Sequence, residues 1–279
     1  MSARPPTQTR IFLSLISAHL SERYARLPCD GVGLMCSESL ALSLGIHPRK
    51  LLAAGDEEKF IQHFWESIHK VADDFAPRPV MYRTLEMTSK QYAGLEGGAE
   101  YEGKVTSPAL DLRGASRYLA DTPSFRSELR AVKRARETGC VNLDVVLPCV
   151  RTSEELSRCR EIVIEEGLFA SAEFELWMMA EAPANAPRIE EFLPHVTGVS
   201  IGAMDGIEPA DFPALERIAR ACRARGAGCT LCGDPAGRYP ELLPRLLECG
   251  LTGISVAPEF FEATVRAVTA AESSLGIRI

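Results

Sequence analysis

Nowhere does the chain string together the ~18 apolar residues that a membrane-spanning helix needs. Its formal net charge of −7 withholds the basic face that nucleic acid or an acidic membrane surface calls for. The five histidines include no H-x-x-x-H pair, and no catalytic serine motif lies near them, so they read as structural or surface residues. Nine cysteines, scattered and odd in number, do not form a disulfide framework and fit a reducing compartment. The lone C-x-x-C, Cys229 to Cys232, has no second C-x-x-C and no histidine pair to complete a zinc site. It also sits inside an apolar run, where three-residue spacing sends the two side chains to opposite faces of a strand. The first twenty residues lack the uninterrupted apolar core and small-residue cleavage site of a secretion signal, and no linker, repeat or low-complexity tract follows. A soluble, cytoplasmic, single-domain protein is expected.

What remains is a chain of 279 residues, 46% hydrophobic and 25% charged. Such a chain has the composition of a globular protein and a length suited to a (β/α)8 barrel, which takes about 250 residues. Eight short apolar runs recur along it: 10–15, 31–35, 79–84, 144–150, 174–181, 198–204, 229–233 and 253–258. Near-continuous apolar runs of this length are typical of buried parallel strands. Helical patterns separate them. Residues 57–75 place Phe60, Phe64, Ile68 and Val71 on one stripe, Thr152 and Glu155 form a capping box, and 213–226 and 240–250 each stop at a glycine. Eight alternations predict a single α/β domain, a (β/α)8 TIM barrel with its active site at the C-terminal ends of the strands. Residues 85–125 read as one long irregular segment with a functional role.

The polar residues at those strand ends are the site candidates: Glu38, Arg83, Glu181, Asp205 and Cys232, with Arg113 and Arg117 from the segment "RGASR". Glu181 and Asp205 end neighbouring strands, so their carboxylates can converge on one hard cation such as Mg²⁺. Arg83, Arg113 and Arg117 offer bidentate contacts to a carboxylate. The segment 97–105 approaches a phosphate-binding loop, Gly98-x4-Gly103-Lys104, but lacks the Ser or Thr that must follow the lysine.

Eight stretches, in order, carry a resemblance: "LPCDGVGLMCSES", "IHPRKLL", "PVMYRT", "LDLRGASRYL", "LPCVRTSEEL", "MMAEAPANA", "SIGAMDG" and "LCGDPAGRYPELLPRLLECGLTGISVAP". Across about residues 9–270 the chain resembles the C-terminal barrel of the phosphoenolpyruvate-utilising enzymes, of the phosphoenolpyruvate synthase type. The resemblance implies that Glu181 and Asp205 bind Mg²⁺ (or Mn²⁺) and that Arg83 and Arg113 bind the substrate's anionic groups. Gly202 and Met204 would border the substrate, and Cys232 would move a proton to or from C3 of enolpyruvate. It also implies a homodimer and a 2-oxo acid or phosphoenolpyruvate as ligand.

The departures shape the expectation. Cys36 stands where the family pattern G-[LI]-x-R-x-E carries arginine, and Met204 stands where an asparagine precedes the metal-binding aspartate. Each replacement removes charge-assisted hydrogen bonds worth ~1.5–3 kcal/mol. A single barrel domain over residues 1–279, without the ATP-binding and phosphohistidine domains of such enzymes, is expected. The first expectation is therefore a stand-alone, Mg²⁺-dependent, lyase- or aldolase-like enzyme that forms an enolate of pyruvate or a related 2-oxo acid without phosphoryl transfer. The second is the phosphoenolpyruvate-binding subunit of a split phosphotransferase. The third is a catalytically silent barrel that binds a metabolite or partner.

Overall fold

Strands buried on both faces must pair with one another and cover their outer face with helices, and the eight apolar runs do so by closing on themselves. The computed structural model describes residues 7–103, 111–171, 173–202, 206, 208–233, 239 and 241–277. The strands are β1 (Arg10–Leu15), β2 (Val32–Cys36), β3 (Val80–Arg83), β4 (Leu143–Leu147), β5 (Leu176–Glu181), β6 (Gly198–Gly202), β7 (Gly228–Cys232) and β8 (Gly253–Val256). All neighbours are parallel, in sequence order, and β8 pairs back to β1 to close the barrel. Among the described residues no helix is long and apolar enough to cross a membrane.

Alternation along the strands decides which side chains enter the barrel. Outward residues such as Val80, Tyr82, Leu176, Met178, Cys229 and Leu231 join the large core beneath the helices. Inward residues form a second, separate core of Leu34, Cys36, Met81, Val146, Trp177, Met179 and Cys232. Trp177 fills the lower end, packed so closely against Gly198 and Gly228 that a Cβ at either would lie 2.6 or 2.4 Å from its ring. Cys229 and Cys232 fall on opposite faces, as their spacing requires.

The helix over Glu57–Phe75 buries Phe60, Phe64, Ile68 and Val71 along the expected stripe, with Phe60 and Phe64 stacked at 4.2 Å between ring centroids. Thr152 caps the helix Ser153–Glu165 through the expected capping box. Gly226 and Gly250 end the helices Phe212–Arg225 and Leu242–Cys249 in the left-handed conformation. The segment 85–125 departs from its reading as one irregular loop. It holds short helices at Ser89–Ala93, Gly98–Tyr101 and Ala115–Ala120 and the first turn of Thr122–Glu137. Gly98 lies in one of these short helices, without the strand that precedes a phosphate-binding loop, and Lys104 lies outside the described residues.

Candidate active site

The inward parity that carries Met81 into the barrel brings Arg83, two residues later, to its C-terminal mouth, and Trp177 and Met179 lead in the same way to Glu181. Arg83 is only 8% exposed. Its Nη2 donates to Glu38 Oε2 at 2.9 Å, and its Nη1 lies 3.0 Å from Glu86 Oε2. Burial alone would disfavour this cation, but the neighbouring Cys36, Glu38 and Glu86 outweigh it and raise its pKa. Its Nε is buried without a hydrogen-bond partner among the described residues.

Arg113 meets the same acid from the other side, with Nη2 donating to Glu86 Oε1 at 2.6 Å. Gly114 makes that approach possible. At φ 48° it lies so close to the following strand end that a Cβ would stand 2.2 Å from the Pro148 carbonyl oxygen, and the Ala115 N–H donates to that oxygen at 3.2 Å. Cys149, next along, is itself in the left-handed region at φ 50° and donates its thiol to Glu86 Oε1 at 3.1 Å. Glu86, Cys149 and Glu181 thus bring one donor atom each within 4.8 Å of one another. Burial, then the charge and hydrogen bond of Glu86, raise the Cys149 pKa, which keeps the thiol protonated.

These groups test whether the site fits a divalent cation. Two guanidiniums, Arg83 and Arg113, and three carboxylates, Glu38, Glu86 and Glu181, gather at the mouth. Glu181 is exposed at the rim and offers hard oxygen, the donor that Mg²⁺ prefers. The protonated Cys149 thiol is a poor donor to such an ion. The residues fit a hard cation held from Glu181. Asp205, the second expected ligand, lies outside the described residues, as does Met204.

Cys232 lies deeper. Register aligns Glu181 with Gly202 and Gly202 with Cys232, the last residues of three neighbouring strands. The thiol is fully buried, 3.1 Å from Ser200 Oγ. Burial raises its pKa, while hydrogen bonds with Ser200 and Ser255 and the charge of Arg83 pull the other way. Cys36 pairs in register with Arg83 and is pushed up to about 12, chiefly by burial against the opposing Arg83 charge. A neutral thiol therefore adjoins the buried guanidinium.

Arg117 does not join this group, contrary to its expected place beside Arg113. Its Nη1 and Nη2 hold the two oxygens of Glu102 at 2.7 and 2.9 Å, Nη2 also donates to Ser89 Oγ at 2.7 Å, and Nε donates to the Leu112 carbonyl at 3.0 Å. All of its donor nitrogens are engaged, and its guanidinium lies 4.3 Å above the Tyr92 ring. It is a structural ion pair within the β3–β4 segment. Sequence reasoning in turn missed Glu86 and Cys149. The first stands three residues past Arg83, so an arginine followed at i+3 by an acid was the available signal. The second was hidden inside an apolar run.

Fold and mouth place the chain among TIM barrels that gather carboxylates and guanidiniums at the C-terminal ends of their strands. Within that class, residues 3–207 match the family described as PEP-utilising enzyme, PEP-binding domain, and the chain belongs to it. It is 35% identical over 300 residues to a probable phosphoenolpyruvate synthase of Staphylothermus marinus, covering 98% of this chain and 36% of that protein. It is 34% identical over 295 residues to a phosphoenolpyruvate synthase of Aeropyrum pernix, covering 96% and 36%. A probable phosphoenolpyruvate synthase of Methanocaldococcus jannaschii is 34% identical over 290 residues, covering 96% and 24%. The chain thus spans about a third, or less, of the length of these relatives.

Proposed function

We propose that the barrel binds phosphoenolpyruvate or pyruvate and carries the enolpyruvate–pyruvate proton transfer of a phosphoenolpyruvate synthase-like enzyme. The observation that carries this reading is the meeting of Arg83 and Arg113 on Glu86, beside Glu181, in a chain matched to such synthases over nearly its whole length. It moves the weight from the lyase expectation to the phosphotransferase one.

In this reading Arg83 and Arg113 bind the substrate's anionic groups, leaving Glu86 and Glu38 to hold them in place. Glu181, with Asp205, would hold Mg²⁺, which when bound supplies positive charge for an enolate oxygen. Cys232 carries the proton. As a thiol it gives its hydrogen to C3 of the enolate, forming the methyl group of pyruvate. The resulting thiolate is stabilised by the Ser200 and Ser255 hydroxyls and by the Arg83 charge. In the direction of phosphoenolpyruvate the same thiolate removes the proton. A cytoplasmic homodimer completes the proposal.

One feature favours the lyase-like alternative: the buried, neutral Cys36 beside Arg83, where the resemblance calls for a second phosphate-binding arginine. Titration calorimetry in the presence of Mg²⁺ separates the two. The proposal expects phosphoenolpyruvate to bind, with at least tenfold loss in Arg83→Ala. Pyruvate binding without phosphoenolpyruvate binding would favour the lyase, and binding of neither would leave a silent barrel.

A further inference from the structure

The end of β3 and the turn that follows it carry Arg83 and Glu86, and this segment is gripped from two sides. In front, Glu38 takes the Arg83 guanidinium on Oε2 and the Glu86 N–H on Oε1 at 3.0 Å. Behind stands Glu128, on the helix Thr122–Glu137, a residue outside the reaction described above and only 1% exposed. Its single oxygen Oε1 accepts the Tyr82 hydroxyl at 2.7 Å and the Leu85 N–H at 2.9 Å. The N–H groups of adjacent residues 85 and 86 are therefore held by carboxyl groups on different helices. The Tyr118 hydroxyl adds a third hold, 2.7 Å from both Thr84 Oγ1 and the Leu85 carbonyl oxygen. Tyr118 is fixed in turn by stacking on Phe125 at 4.2 Å.

A buried acid with no cationic partner among the described residues is costly, and an apolar residue of similar size would pack the same space more cheaply. What an apolar residue cannot do is accept two hydrogen bonds at once from strand and turn. We infer that Glu128 is a positioning residue, which sets the register of Arg83 and Glu86 at the barrel mouth by holding Tyr82 and the Leu85 amide from behind. The inference rests on the reading of Arg83 as a substrate-binding residue.

The carboxyl group is pushed up to about 8, first by burial and further by the Glu38 charge, against the Tyr82 and Leu85 hydrogen bonds. At pH 7 it is mainly the neutral acid, with Oε1 as the double acceptor. Glutamine reproduces that acceptor and its shape; alanine does not.

The test compares the full chain with Glu128→Gln and Glu128→Ala. Affinity for pyruvate and phosphoenolpyruvate, with Mg²⁺, is measured well below each variant's Tm, and amide hydrogen exchange is followed across residues 82–88. The inference expects Glu128→Gln to stay within about twofold of wild type in both readouts. Glu128→Ala should weaken substrate binding at least tenfold and lose protection at Leu85 and Glu86 while still folded. Wild-type affinity in a folded Glu128→Ala would overturn the inference, because a residue needed only for stability lowers Tm and leaves the affinity of the folded protein alone. Failure of glutamine to restore binding would overturn it too, by making the charge rather than the hydrogen bonds the active feature. If wild type binds neither ligand, the functional reading has failed; the exchange data then decide the Glu128 hold by themselves, and unchanged protection in Glu128→Ala would refute it.

Discussion

Arg83 and Glu38 are joined at 2.9 Å between the ends of neighbouring strands at the barrel mouth, a guanidinium and a carboxylate that are both largely shielded from water. The pair is completed by Glu86, which lies against the same guanidinium at 3.0 Å. Arg83 is thus a binding group and also the counter-ion of two acids on separate elements.

Removing that cation takes from Glu38 its guanidinium partner and leaves Glu86 with Arg113 alone. Arg83→Ala should therefore destabilise the barrel by about 3–5 kcal/mol, the usual cost of breaking a buried ion pair from one side. Urea denaturation measures it. A loss below about 1 kcal/mol would mean that water or Arg113 takes over the neutralisation.

Gly114 tests how tightly the Arg113 segment is seated. A Cβ there meets the Pro148 carbonyl oxygen at 2.2 Å and must adopt φ 48° as well. Gly114→Ala should cost at least about 1–3 kcal/mol and weaken substrate binding by displacing Arg113. The same substitution at Gly226, at φ 69° with nothing within 4 Å of the added atom, should cost only the backbone strain and leave binding unchanged.

Glu102 and Arg117 give a prediction about pH. Burial would raise the Glu102 carboxyl, but hydrogen bonds from His47 and Arg117 and the Arg117 charge prevail and hold it at about 2, below its ordinary 4.5. A depressed acid contributes stability that is fully present above the ordinary value and is lost as pH falls through the depressed one. The contribution is about 3 kcal/mol. Glu102→Gln should therefore be less stable than wild type at pH 7, and the gap should shrink between pH 5 and 2. Substrate binding at pH 7 should be spared, since this pair stands apart from the mouth.

Asp144 predicts the opposite slope. Burial raises it from 3.8 to about 7, against a hydrogen bond from the Glu175 N–H. The folded state then holds a proton that the unfolded chain has released, so this group costs stability progressively as pH climbs from about 4 to 7. Asp144→Asn keeps an acceptor for Glu175 and removes the titration. Its stability relative to wild type should rise across that window and level off above it, as read from denaturation midpoints in a pH series.

Much of this architecture was legible because strand parity and helix stripes are short-range consequences of sequence. Met81 and Arg83, or Met179 and Glu181, share a face by counting in twos, and Phe60, Phe64, Ile68 and Val71 share one by counting in fours and threes. The segment 85–125 was not legible, since helices such as Ser89–Ala93 and Ala115–Ala120 are too short to show periodicity. Arg117 illustrates the limit at the site. The motif "RGASR" offers two equivalent arginines, and only the folded chain reveals that Glu102 claims one while Glu86 receives the other. Glu128 was hidden for a related reason: an acid in a helix reads as solvated until the strand it touches is known.

The central claim is that Cys232 exchanges a proton with C3 of the substrate, and NMR of the pyruvate methyl group in D2O tests it most directly. Wild-type protein with Mg²⁺ should replace the methyl protons with deuterium, and EDTA should stop the exchange. Cys232→Ala should fold, bind pyruvate and fail to exchange. Undiminished exchange in that variant, or bound pyruvate that never exchanges in wild type, would contradict the account.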